Sequence, residues 1–225
     1  MTPRALWLAL AMFTAGAHAE LPARMQITYE VQRNGRAMAE ISAALEYANG
    51  RYSLTEQWHG RGMYALLGKA ARTSSGTVAG SLLRPIEFSD ERSGRDTARA
   101  WFDWGAKTLT MRYKGKTKRE PIPPNAQDRI SFVLALALAP TGTKAMDFHL
   151  VDGKGVSHHV YDFGARERVA TPAGEFEALK VERVTEDRRL EIWLATALGN
   201  MPVRVLVADS DGSRYDQVAT RVSAR

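Results

Sequence analysis

From residue 26 onward the chain alternates between apolar and polar positions. Ile27, Tyr29 and Val31 stand between Gln26, Thr28, Glu30 and Gln32. After Asn34-Gly35 the apolar positions are Ala37, Ala39, Ile41, Ala43, Leu45 and Tyr47, with Glu40, Ser42 and Glu46 between them. Period two is the mark of a strand with one buried and one wetted face. Asn-Gly between two such runs predicts a hairpin. A two-residue loop there would set Ile27 against Ser42 and Tyr29 against Glu40, which a buried face does not tolerate. A three-residue loop with Gly35 left-handed pairs Ile27 with Ile41 and Tyr29 with Ala39, and this register is expected. A second hairpin at Ala48-Asn49-Gly50-Arg51 pairs Tyr47 with Tyr52, Leu45 with Leu54 and Ile41 with Trp58.

Further strands are expected over 72–79, 84–92, 97–104, 108–114, 146–151, 156–163, 176–184, 190–195, 203–209 and 213–222. Ser93-Gly94, Gly105, Asp152-Gly153 and Asp211-Gly212 supply turns between many of them. So many short strands in up-and-down order predict a mainly β fold. It would be one large curved antiparallel sheet, or a partly open barrel or half-barrel.

One segment breaks the alternation. Pro121-Ile122-Pro123-Pro124 leads through Asn125-Ala126-Gln127-Asp128-Arg129 into an apolar run from Ile130 to Ala139, ended by Pro140 and Gly142. This predicts a helix over about 126–139, with Asn125 as N-cap and Asp128 in the first turn. Apolar side chains surround almost all of it, so it is buried on more than one side. It either fills the concave side of the sheet or lines an apolar pocket there. It is too short to cross a bilayer. A second apolar patch, Met63-Tyr64-Ala65-Leu66-Leu67 between Gly62 and Gly68, reads as a turn of helix or a flap over the sheet.

The N-terminus changes the compartment. Arg4, an apolar stretch over 5–13 and Ala17-His18-Ala19 have the form of a secretory signal peptide, with cleavage expected after Ala19. The mature chain, 20–225, would be a single β-rich domain in the periplasm that does not span the membrane. The chain has no cysteine. That removes disulfides, thiol chemistry and a lipid-bearing cysteine at the cleavage point. Net charge is +6, falling to +5 without Arg4. Such a surface suits anionic partners such as lipid headgroups, and export disfavours nucleic acid.

Candidate chemistry is sparse. His149 and His158 flank the turn at Asp152-Gly153-Lys154-Gly155 and should face one another across a ladder, a weak metal candidate without a third ligand. No Gly-x-Ser-x-Gly, His-Glu-x-x-His or phosphate loop occurs, which points away from an enzyme and implies no cofactor. Lys114, Lys116, Lys118 and Arg119 form the densest basic run. It reads as a solvated hairpin tip whose edge lysines block aggregation, or as a contact with anionic lipid. Trp101 and Trp104 are expected on one strand face with Phe102 on the other.

Several pieces resemble the exported bacterial envelope proteins of domain-of-unknown-function family 3108. They are Tyr29-Glu30-Val31 with Gly35, Leu83-Arg84-Pro85-Ile86-Glu87-Phe88, Gln127-Asp128-Arg129-Ile130-Ser131, Thr171-Pro172-Ala173-Gly174-Glu175-Phe176, Trp193-Leu194 and Met201-Pro202-Val203-Arg204. The resemblance implies an exported, largely β protein and carries no catalytic or binding residues. The pieces also have physical readings: Pro172 and Gly174 shape a turn, Pro202 starts a strand, Trp193 packs on the sheet, and Arg84 or Arg204 is a candidate partner for a carboxylate such as Asp128.

The function expected from all this is a non-enzymatic binding or chaperone-like module for an apolar or lipid-like ligand. Its lining candidates are Trp58, Trp101, Trp104, Ile130, Phe132, Leu134 and Leu138. The alternatives are an assembly partner that offers a sheet edge or basic patch to another envelope protein, and a hydrolase of envelope material.

Overall fold

The computed structural model describes residues 21–224; the expected signal peptide and its cleavage site lie outside the described residues. The strands are β1 (Arg24–Arg33), β2 (Arg36–Ala48), β3 (Arg51–Gly60), β4 (Lys69–Ala79), β5 (Leu82–Arg92), β6 (Ala98–Asp103), β7 (Thr108–Tyr113) and β8 (Lys116–Pro121). After these come β9 (Ala126–Asp128), the helix α1 (Ser131–Ala137), β10 (Ala145–Val151), β11 (Val156–Thr171), β12 (Gly174–Val184), β13 (Arg188–Ala195), β14 (Met201–Asp209) and β15 (Arg214–Ala224). A 3₁₀ helix, Gly62–Leu67, links β3 to β4.

All 15 strands form one sheet, in the order β8 down to β1, then β15 down to β9. The first and last strands therefore pair in mid-sheet, and the edges are β8 and β9. Those edges are joined by residues 122–125 alone. Laid flat, fifteen strands about 4.8 Å apart would hold their edges roughly 67 Å from each other. Four linking residues reach no more than about 18 Å. The sheet has to curl until its edges nearly meet, and the result is a large curved sheet with one buried helix on its concave side.

The seam closes through side chains. β6 pairs with only Glu87, Phe88, Ser89 and Asp90 of β5. The upstream half of β5 thus has free carbonyls. Gln127 Nε2 donates to Leu83 O at 2.9 Å and Trp104 Nε1 donates to Pro85 O at 2.7 Å. The β10–β11 turn also packs on β6, where a Cβ at Gly153 would lie 2.7 Å from Arg99 N.

The first hairpin corrects the expected register. Asn34 and Gly35 both have positive φ, 50° and 77°, and form a two-residue turn with Arg33 opposite Arg36. The register then shifts between Val31 and Gln32, so Val31 faces Ala39, Tyr29 faces Ile41 and Ile27 faces Ala43. The extra residue that apolar pairing demands sits in a bulge of β2, not in the loop. The second hairpin has the expected register, with Tyr47 opposite Tyr52 and Ile41 opposite Trp58.

The helix is also corrected. Residues 126–128 form a strand parallel to β10, Asn125 is left-handed at φ 48°, and the helix begins at Ser131. Parallel pairing with the open edge of β10 gives Ala126, Gln127 and Asp128 ladder neighbours that a helix there would forgo. Asp128, not Asn125, satisfies the first helical amides: its Oδ1 accepts from Ile130 N at 3.0 Å and Ser131 N at 2.8 Å. At the other end Asn200 Nδ2 donates to Ala137 O at 3.0 Å. The basic run lies partly in the turn at Lys114-Gly115 and mostly on the edge strand β8, which pattern alone did not predict.

Candidate binding site in the concave face

Residues of one parity in each strand point into the curl. On β3 these are Tyr52, Leu54, Glu56 and Trp58; on β4 they are Ala70, Arg72 and Ser74, set by the pairing of Leu54 with Ser74 and Trp58 with Ala70. Toward one end the filling is complete: Tyr52, Phe88, Leu109, Ile130 and Leu134 are buried, with α1 packed over them. Toward the other end, space is left. A cavity of about 540 Å³ is lined by Val31, Met38, Trp58, Arg72, Arg92, Arg129, Arg188, Val205 and Val207, among others. A second, of about 400 Å³, shares Arg72, Arg129, Arg188, Val205 and Val207 with it and extends to Phe132, His159, Tyr161 and Arg183. A third, about 260 Å³, shares Met38, Trp58, Ala70 and Arg92 with the first and runs under Tyr64 of the 3₁₀ helix. The three share lining residues and adjoin in one hollow, and its two larger parts are each of the size small-ligand sites usually have. The 3₁₀ helix stands at its rim and leaves Met63 77% and Leu66 91% exposed.

The floor of the hollow is a charged network. Arg72 lies 3.3 Å from Glu56 Oε2 and 3.4 Å from Asp90 Oδ2, and its guanidinium sits over the Trp58 ring at 5.5 Å. Arg92 binds Asp90 through Nε and Nη2 at 2.9 and 2.8 Å. Although burial opposes its charge, Arg92 and Arg72 hold the Asp90 carboxyl below its usual range. Glu56 is pushed up by burial despite Arg72. Arg188 is held by Asp209 at 2.6 and 3.3 Å. Among the described residues Arg129 has only Asp152 within ion-pair distance, at 4.0 Å. Burial and the nearby Arg72 lower its pKa. His159, at the same end, is lowered to about 4 by burial, Arg183 and Arg129.

A separate buried network fixes the helix. Asp128 is fully buried, and Ser74 Oγ donates to its Oδ2 at 2.5 Å. Tyr52 OH lies 3.0 Å from Ser74 Oγ, and Ser131 Oγ donates to Gln127 Oε1 at 2.9 Å. Burial raises the Asp128 carboxyl to about 6 against the hydrogen bonds that favour its charge. The group ties β3 and β4 to the helix entry, and Asp128 at its centre is fully buried. Neither Arg84 nor Arg204 binds it: Arg84 lies over Trp104, and Arg204 makes a two-point pair with Asp216 at 2.9 and 2.6 Å.

The predicted lining residues divide. Trp58 and Phe132 line the hollow. Ile130, Leu134 and Leu138 are buried in the core, because only one side of the short helix reaches the open end. Trp101 and Trp104 are not on one face. Positions three apart on a strand have opposite parity, so Phe102 and Trp104 stack at 6.3 Å while Trp101 turns outward to Glu87. Trp104 lies in a groove along the seam, away from the hollow. Trp193 packs on the convex face, with Lys180 and Arg204 over its ring and its indole donating to Glu167. Lys116, Lys118 and Arg119 are on the edge strand, and Lys118 pairs with Glu120 at 2.5 Å. His149 and His158 face each other with ring centroids 4.9 Å apart. His149 Nδ1 is engaged by Pro124 O at 2.8 Å, and among the described residues no group of three metal-ligating side chains gathers. The arginines of the hollow were missed. Their signal was available: Arg72, Arg183 and Arg188 occupy inward positions, two residues from Ser74, Val181 and Leu190.

Residues 24–218 match the family model described as "Protein of unknown function (DUF3108)". The chain belongs to this family. The pieces that carried the resemblance now have structural roles: the Gln127-Asp128 pair closes the seam and starts the helix, and Pro202 O accepts from buried Tyr29 OH at 2.8 Å. Among solved structures, a candidate lipoprotein from Parabacteroides distasonis is 10% identical with a TM-score of 0.39, over 92% of this chain and 98% of that one. A candidate exported protein with a YmcC-like fold, from Bacteroides fragilis, is 12% identical with a TM-score of 0.39, over 92% of this chain and 100% of that one. No curated protein matches. No helix among the described residues is long and apolar enough to cross a membrane.

Proposed function

We propose that this protein is a periplasmic binding or chaperone-like module that takes a lipid-like envelope ligand into the hollow of its curved sheet. The observation that carries this reading is the set of three adjoining cavities that share lining residues, from Met38, Trp58 and Tyr64 to Phe132 and Tyr161, in a fold that packs tightly at its other end. A sheet this curled buries its inner face against the helix only as far as the helix extends. Seven helical residues cover about 10 Å of it. The remaining inner face keeps apolar side chains beside open space. The secretory signal pattern at the N-terminus supports the compartment. Lys116 and Lys118 blunt the β8 edge, which argues against strand addition there as the main mode of assembly.

The test is native mass spectrometry of protein purified from the periplasm, followed by lipid extraction, together with uptake of a fluorescent acyl probe from vesicles. Bound lipid and soluble probe complexes are expected. Clean apo-protein that leaves the probe in the vesicles would overturn the reading.

A further inference from the structure

The hollow is not evenly polar, and its charges do not balance. Arg72 and Arg92 are neutralised by Glu56 and Asp90 on the floor, and Arg188 by Asp209. Arg129 reaches only Asp152, at the 4.0 Å limit of an ion pair, and Arg183 has no acidic partner within that distance among the described residues. Both arginines line one end together with Phe132, Tyr161 and Asp152, and five arginines there and on the floor face four acids, which leaves one positive charge in surplus. The opposite end, under the 3₁₀ helix, is formed by Met38, Trp58 and Tyr64. Burial and the neighbouring Arg72 and Arg92 disfavour the Arg129 charge, and Arg183 opens on the same space with no acid paired to it among the described residues. An anion placed between Arg129 and Arg183 would pair with both, and arginine's planar fork suits phosphate or carboxylate oxygens.

We infer that the ligand is an amphiphile with an anionic head, phosphate or carboxylate, held between Arg129 and Arg183, with its chain lying over Trp58 toward Tyr64. This rests on the binding reading above and adds the polarity and direction of the ligand. His159 is the built-in reporter. Its imidazole lies beside the same two arginines, which with burial keep it neutral. Its Nε2 sits 2.7 Å from Ser157 Oγ, and its Nδ1 is buried without a hydrogen-bond partner. An anion in place would offset the arginines and raise the histidine pKa from about 4.

The experiment is calorimetry on the full mature chain with four probes: dodecyl phosphate, dodecanoate, dodecanol and inorganic phosphate. The two anionic amphiphiles should bind at least tenfold more tightly than dodecanol, and the Arg129→Gln/Arg183→Gln variant should lose that preference while binding dodecanol as before. The stronger of the two anions names the head. A histidine titration followed by NMR should show the His159 pKa rising with dodecyl phosphate and not with dodecanol. If all three amphiphiles bind equally to both proteins, the anionic head is refuted while the binding function stands. If inorganic phosphate binds as tightly as dodecyl phosphate, the site is a plain anion site and the amphiphile is refuted. If none of the four binds, the binding function falls as well. Both arginines keep exposed surface, so the double variant should fold; far-UV circular dichroism checks this.

Discussion

Asp128 is buried at the point where β9 hands the chain to α1, and replacing it tests the account of the core. Its Oδ1 serves the amides of Ile130 and Ser131, and its Oδ2 takes the hydroxyl of Ser74. In Asp128→Ala the Ser74 hydroxyl can turn to Tyr52 OH, 3.0 Å away. The two amides have no such recourse. A buried donor left unpaired costs about 1–3 kcal/mol, so the loss is about 4 kcal/mol when the carboxyl is protonated. At higher pH the wild type carries a cost of its own. Its folded-state carboxyl titrates at about 6, above the unfolded value of 3.8, because burial disfavours the charge. The folded protein thus keeps a proton that the unfolded chain has already lost. The stability from this group is fully present below about pH 4 and is lost as pH rises through 6. Between pH 4.5 and 7.5 the wild type forfeits about 2 kcal/mol by this route. The gap between wild type and Asp128→Ala should therefore shrink from about 4 to about 2 kcal/mol. Urea unfolding at both pH values measures it. Glu56 and His159 also titrate, with opposite effects on stability, but they are present in both proteins and cancel in the difference. Asp128→Asn keeps an acceptor for the amides, so it should lose less than alanine and show the same altered pH slope. A gap that stays constant, or widens toward pH 7.5, would refute the argument and mean that the three donors outweigh burial.

Other consequences are as direct. Gly153→Ala should destabilise the fold by at least about 2 kcal/mol in thermal or urea unfolding, since φ is +77° and the new Cβ would press on the backbone of Arg99. Trp193→Ala should cost about 3–5 kcal/mol, because the indole is only 6% exposed among Lys180, Arg204 and Glu167, whereas Trp101→Ala should cost under about 1 kcal/mol; equal losses would contradict the assigned faces. Quenching of tryptophan fluorescence by a brominated acyl probe should fall sharply in Trp58→Phe and stay unchanged in Trp101→Phe; the reverse pattern would move the ligand out of the hollow.

The alternation of apolar and polar residues was enough to give every strand but β8 and β9, their up-and-down order and the curved-sheet class. Period two and Asn-Gly turns are local properties, and neighbours in sequence became neighbours in space across most of the sheet. The register of the second hairpin was legible for the same reason. The first was not, because a bulge in β2 leaves no mark beyond the need to match Ile27 with an apolar partner. The helix start was hidden because Ala126, Gln127 and Asp128 suit either state locally, and only the free edge of β10, far along the chain, decides between them. The hollow was hidden further still. Whether an inward arginine is neutralised depends on which acids the curl brings opposite it: Asp90 reaches Arg72 across a ladder, while Arg129 and Arg183 come together from the helix entry and β12. Sequence by itself therefore determined which residues face inward. Only the tertiary structure decided which inward charges are balanced, because that balance comes from the closing of a sheet whose edges are held by four residues.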